Sequence, residues 1–156
     1  MLKSDRLGFL KKLKDSFNKI EIRIPSENRY IKKVSGRILS SLASHHTSEE
    51  KTFDVKLCVE EAVRNAIVHG NHSERSKTVR TAYRIEDGCI TIEVEDEGNG
   101  FDHNLLPDPT DTNYIMRNSG RGVYLIKKLM DKVDFNAKGN KITMVKRINP
   151  TLPCGE

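Results

Sequence analysis

Two alternating runs meet at Asp87-Gly88, and that junction constrains the fold more than any other stretch. Residues 77–86 and 89–95 read as strands, and an Asp-Gly pair between them is a strong hairpin signal because its turn needs positive φ. In the second run Ile90, Ile92 and Val94 share one face, and Asp96 is in phase with them. If the strand continues, its carboxylate points to the covered side of the sheet. A carboxylate there is costly without a partner, so Asp96 calls for one. Glu97-Gly98-Asn99-Gly100 then ends the strand and lets backbone approach a ligand closely.

The remaining chain supplies the layers around this hairpin. Leu7, Leu10, Leu13 and Phe17 lie at helical spacing, predicting an amphipathic helix as an added element over residues 1–18. Ile20, Ile22 and Ile24 alternate with Glu21 and Arg23 up to Pro25, as in a half-buried strand. From Ser26, read as an N-cap, Tyr30, Ile31, Val34, Ile38, Leu39 and Leu42 form one helical stripe. A second helix is expected from about Phe53 or Asp54 to His69, stopped by Gly70-Asn71 as a left-handed terminator. Val123, Leu125, Ile126, Leu129 and Met130 predict a third, and residues 133–137 and 142–145 a last hairpin turned at Lys138-Gly139-Asn140. The fold class expected is an α/β (α+β) two-layer sandwich with a mixed, mostly antiparallel sheet covered on one face by helices.

Composition narrows the function classes. A chain of 156 residues, 36% hydrophobic and 31% charged, is one soluble domain over residues 19–148, followed by a flexible tail at 149–156. Its apolar runs are far shorter than the roughly 20 residues a membrane span needs, and no leader pattern precedes them, so a cytoplasmic protein without membrane contact is expected. The net charge of +5 is spread among 22 acidic residues, which argues against direct nucleic-acid binding and for a solvated surface or a docking face for an acidic protein. Three cysteines with no metal-ligand spacing are expected to be reduced thiols. His45 and His46 lack ligand-spaced neighbours and read as surface histidines.

Chemistry gathers on the second helix. Glu61, Asn65 and His69 recur every four residues beside Ala62, Val63, Ala66 and Ile67, so a polar stripe borders the buried face where a helix lines a pocket. Glu60, one position off that stripe, reads as surface. Residues 101–119 have no periodicity, and a loop of that length in a compact domain is usually functional. Gly120-Arg121-Gly122 then opens the third helix, where free N–H groups and the positive end of the dipole suit phosphate oxygens.

Each signal is modest, but their order is specific: E-x-x-x-N on a helix, D-x-G-x-G ending a strand, G-x-G opening a helix after a long loop. Together EAVRNAIVHG, DEGNG and SGRGVYLI resemble the N box and the two glycine boxes of the Bergerat-fold (GHKL, histidine kinase-like) ATPases, over roughly residues 20–148. Within that superfamily the chain looks most like the anti-sigma factor serine/threonine kinases. The resemblance implies ATP bound with Mg2+ and ADP as product, with Asn65 as metal ligand and Glu61 as general base on the incoming hydroxyl. It further implies Asp96 as acceptor of the adenine amino group, Gly98 and Gly100 as room for the base, and Gly120 and Gly122 as phosphate-facing backbone. Arg117 and Arg121 would reach phosphate oxygens, under a lid at about 101–119. Two family features differ here: Asn118 stands where a lid arginine is frequent, and Asn140 follows Gly139 where a threonine is frequent.

The same resemblance implies a bacterial protein that sequesters a sigma factor, is released by phosphorylating a small antagonist on serine or threonine, and forms a homodimer. Two other readings stay open. One is a nucleotide-gated switch on a phosphatase or other partner without kinase activity. The other is a catalytic fragment of a sensor histidine kinase, which the roughly 20 residues before the domain are too few to supply with a dimerising hairpin.

Overall fold

The computed structural model describes residues 6–10, 13, 18–102, 121–152 and 154. Five strands form one sheet: β1 (Ile20–Pro25), β2 (Thr78–Glu86), β3 (Cys89–Glu95), β4 (Lys132–Phe135) and β5 (Lys141–Arg147), in the order β1-β2-β3-β5-β4. Every pairing is antiparallel, and the Asp87-Gly88 turn foreshadows that of β2 with β3. Asp87 and Gly88 both take positive φ, 49° and 72°.

Alternation within each strand becomes continuous rows across the sheet. Ile20, Tyr83, Ile92, Met144 and Val133 face one another in register, and so do Ile22, Thr81, Val94, Ile142 and Phe135. Three helices cover this face: α1 (Ile31–Ser44), α2 (Glu49–Asn65) and α3 (Arg121–Leu129). They contribute Val34, Ile38 and Leu42, then Val55, Val59 and Val63, then Val123 and Ile126 to a single core. Each fully buried Ile or Leu in such a core is worth about 1.5–3 kcal/mol relative to exposure.

The other face is polar. Arg80 reaches Glu21 at 2.7 Å, Glu95 at 3.3 Å and Glu93 at 3.7 Å, and Lys19 meets Glu93 at 2.7 Å. The Arg80 guanidinium beside Glu21 holds that carboxyl below its ordinary value.

Several local expectations need correction. Ser26 does not cap a helix: its hydroxyl donates to Lys77 O (2.8 Å), and a 3-10 turn at Asn28–Tyr30 leads into α1 instead. The second helix starts earlier than its apolar stripe, at Glu49, because Ser48 accepts from the Lys51 N–H and Glu49 and Glu50 sit at the positive end of the dipole. Glu60 is not free surface, for its carboxylate accepts from the Ser35 hydroxyl (2.9 Å) and ties α2 to α1. Lys146, on the covered face of β5, pairs with Asp54 of α2 at 3.0 Å and donates to Leu129 O. Residues 6–10 are helical, with Leu7, Phe9 and Leu10 exposed.

The cysteines also depart from expectation. Cys89 and Cys154 form a disulfide with Cα atoms 5.5 Å apart across 65 positions, and Cys58 alone is free. Sequence spacing hides this pairing, because β5 delivers the chain back to the first residue of β3. Just before Cys154, Ile148 N–H (2.8 Å) and Asn149 N–H (3.0 Å) both donate to Gly88 O. Burial pushes the Cys58 thiol up to about 12, so it stays protonated and inert. Closing a loop of this length restricts the unfolded chain, so reduction, or the Cys89→Ser/Cys154→Ser double variant, should lower stability by about 2–4 kcal/mol in denaturant unfolding.

Candidate functional site

Helix α2 does not end in a left-handed glycine. It widens into a π-helical turn over Ala66–Gly70, closed by Asn71 N–H to Ala66 O (2.8 Å), and the positive-φ residues are His72 and Ser73. Single π turns inside helices recur at functional sites. Here the turn carries Asn65, His69 and Gly70 along one wall of a cavity of about 350 Å³. Asp96, Asn99, Gly100, Asn140 and Val94 line it from the sheet side, and Phe101 and Phe135 close it with rings edge to face, 5.4 Å apart.

Asp96 lies where its phase with Ile90, Ile92 and Val94 predicts, half-buried at the cavity wall. Its Oδ1 accepts from Gly98 N–H at 2.8 Å. The space is made by absence of side chains: a Cβ on Gly70 would come within 2.2–2.7 Å of the Asp96 carboxylate, and one on Gly98 would come 2.1 Å from Gly70 O. Burial pushes the Asp96 carboxyl up, against the lowering effect of the Gly98 N–H.

Glu61 stands one helical turn before Asn65, beside the cavity rather than among its lining residues. Its Oε2 meets Arg64 at 3.0 Å, and its other oxygen lies where a Cβ on Gly122 would be, 2.2 Å away. Gly122 thus lets the start of α3 approach the α2 carboxylate, which any side chain would displace. Arg121 opens α3 on the exposed side. Arg117 and Gly120 lie outside the described residues, as does the lid beyond Asp102.

The structure also recruits residues to which the sequence reading gave other roles or none. Asn71, expected only to stop a helix, is fully buried: Nδ2 donates to Ser26 Oγ and Thr78 O (both 2.9 Å), and Oδ1 accepts from Glu97 N–H (2.8 Å). The Glu97 carboxylate in turn accepts from Thr78 N–H and its hydroxyl. Asn136 Oδ1 accepts from the N–H groups of Gly139, Asn140 and Lys141 and shapes the β4–β5 turn. Phe135 was legible as a core-facing position of β4, in phase with Val133, but nothing local announced a cavity beside it.

A helix-covered antiparallel sheet with a cavity between a helix bearing E-x-x-x-N and a strand end bearing D-x-G-x-G defines an ATP-binding domain. Residues 24–146 match the family described as Histidine kinase-like ATPase domain, and the chain belongs to that family. It falls in the anti-sigma factor serine kinase branch. The chain is 32% identical over 142 residues to the Anti-sigma F factor of Clostridium perfringens, covering 86% of this chain and 99% of that one. It is 35% identical over 138 residues to the Anti-sigma F factor of Clostridium acetobutylicum, covering 83% and 94%. To Serine-protein kinase RsbW of Listeria monocytogenes it is 31% identical over 141 residues, covering 85% and 88%. In fold it is similar to the RsbU and RsbW domains of a Mycobacterium tuberculosis protein, with a TM-score of 0.61 and 17% identity over 83% of this chain and 32% of that one.

The raised Asp96 carboxyl has a consequence for stability. A carboxyl that holds its proton more tightly folded than unfolded stabilises the fold most below its unfolded pKa, and that advantage is lost as pH rises through the folded pKa. Asp96→Asn should therefore melt higher than the native protein at neutral pH, with the gap closing as pH is lowered through the carboxylate range. A gap independent of pH in thermal scans would contradict this.

Proposed function

We propose that this chain binds ATP with Mg2+ in the cavity between α2 and the β3 end, holds a sigma factor inactive, and transfers the γ-phosphoryl group to a serine or threonine of a small antagonist protein. One observation carries the reading: Asn65 and Asp96 face one cavity, with Glu61 set beside it against the glycine start of α3. Asp96 accepts the adenine amino group, which supplies the partner its half-buried carboxylate calls for. Gly98 and Gly100 give the base room, and by the family resemblance Gly120 and Gly122 would present backbone N–H groups to the phosphates. Arg117 and Arg121 are assigned to phosphate oxygens. The three named relatives that carry the words anti-sigma factor or serine-protein kinase support the partner and substrate classes.

The donor set fits the metal. Among the described residues no group of three His, Cys, Asp or Glu side chains gathers, and Asn65 offers a single neutral amide oxygen. Such a site suits an ion that takes one or two protein oxygens and completes its shell with phosphates and water. Mg2+ would neutralise phosphate charge there. Glu61 takes the proton from the attacking hydroxyl as its oxygen bonds to the γ-phosphorus and the bond to the departing ADP oxygen breaks.

No described helix is long and apolar enough to cross a membrane. We place the protein in the cytoplasm, where the Cys89–Cys154 pair meets a reducing environment. A homodimer follows from the family resemblance, and molar mass in solution reads it directly.

Phosphate transfer from labelled ATP to a candidate antagonist tests the mechanism. Glu61→Gln should lower transfer by about 10²–10⁴-fold while ATP still binds. Unchanged transfer would sink the general-base role, and sigma-factor capture without any transfer by the native chain would favour a nucleotide-gated switch. Gly122→Ala should also lower transfer, because its Cβ would sit 2.2 Å from Glu61 Oε1 and push the carboxylate aside.

A further inference from the structure

Asp96 O and Glu97 N–H belong to one peptide unit, and two asparagines from distant parts of the chain hold its two ends. Asn140 Nδ2 donates to Asp96 O at 2.8 Å, and Asn71 Oδ1 accepts from Glu97 N–H at 2.8 Å. Neither side chain is loose. Asn140 Oδ1 is held by Asn136 Nδ2 (2.8 Å), and Asn136 is itself anchored by three backbone N–H groups of the β4–β5 turn. Asn71 is anchored by its two donations to Ser26 and Thr78. A second main-chain bond, Asp96 N–H to Asn140 O (3.0 Å), closes the frame.

A peptide plane gripped at both ends has no freedom to rotate about the bonds that flank it. The torsion immediately before this plane is ψ of Asp96, so the clamp sets where the Asp96 side chain leaves the backbone. Asn140 lines the cavity, yet its amide nitrogen is committed to Asp96 O rather than turned wholly to a ligand.

We propose that Asn140 and Asn71 are positioning residues for base recognition: they clamp the 96–97 peptide and thereby aim the Asp96 carboxylate at the exocyclic group of the purine. Asn140 acts on selectivity through Asp96 and not by touching the base. The proposal rests on Asp96 as the reader of the adenine amino group, and the comparison of ATP with inosine triphosphate separates the two. Inosine presents a carbonyl where adenine presents an amino group, so a well-aimed carboxylate favours ATP and repels the analogue.

Isothermal titration of the full chain with each nucleotide and Mg2+ gives the ATP-to-ITP affinity ratio. Asp96→Ala should bring the ratio close to one. Asn140→Ala should lower it by about tenfold, the weight of one well-placed hydrogen bond, and the Asp96→Ala/Asn140→Ala double variant should lower it no further than Asp96→Ala alone. Asn140→Ser, whose hydroxyl is too short to bridge to Asp96 O, should behave as Asn140→Ala and serves if that variant does not fold. Asn140→Ala or Asn140→Ser with a native ratio and only a lower Tm overturns the clamp, as does a further fall in the double variant, which would mean direct contact. A native ratio in Asp96→Ala overturns the assignment of Asp96 itself.

Discussion

One carboxylate on the wrong side of a sheet organises much of this molecule. Asp96 continues the row of Ile90, Ile92 and Val94 toward the helices, and an ionised group there is tolerated only where hydrogen bonds and an open cavity replace bulk water. Gly70 and Gly98 clear the volume it occupies, Gly98 N–H bonds it, and the β4–β5 turn and the end of α2 brace the peptide behind it. Elements far apart in the chain thus converge on one strand end. The π turn belongs to the same economy, since a regular α-helical ending would place Asn71 elsewhere on the helix.

Stability and chemistry draw on separate parts of the sandwich. The cross-strand rows centred on Ile92 and Met144, covered by α1, α2 and α3, form a core that makes no use of the polar residues at the cavity. Asp54 and Lys146 pin α2 to β5 at the end remote from Asn65. Around the cavity the packing is instead glycine against carboxylate, at Gly70 beside Asp96 and at Gly122 beside Glu61. That arrangement sets one carboxylate against a helix start and another at a strand end.

Membership in the anti-sigma factor kinase branch accords with this division. The polar face centred on Arg80, Glu21, Glu93 and Glu95 is laced with ion pairs, each worth at most about 1 kcal/mol at such exposure. Its weight lies in solubility and in guarding a sheet face that none of α1, α2 and α3 covers.

Period-two alternation, the Asp87-Gly88 turn and the helical stripes determine the elements, because each is a local pattern read by local sterics. The same alternation places Asp96 inward, and three short motifs in order determine the family. Local pattern says nothing, however, of what lies across space. Only the tertiary structure makes Ser26 an anchor for Asn71 instead of a cap and pairs Cys89 with Cys154. It alone brings Asn71 and Asn140 to opposite ends of one peptide, since hydrogen bonds between residues 26 and 44 positions apart are decided by how strands and turns assemble and leave no mark on the neighbouring sequence.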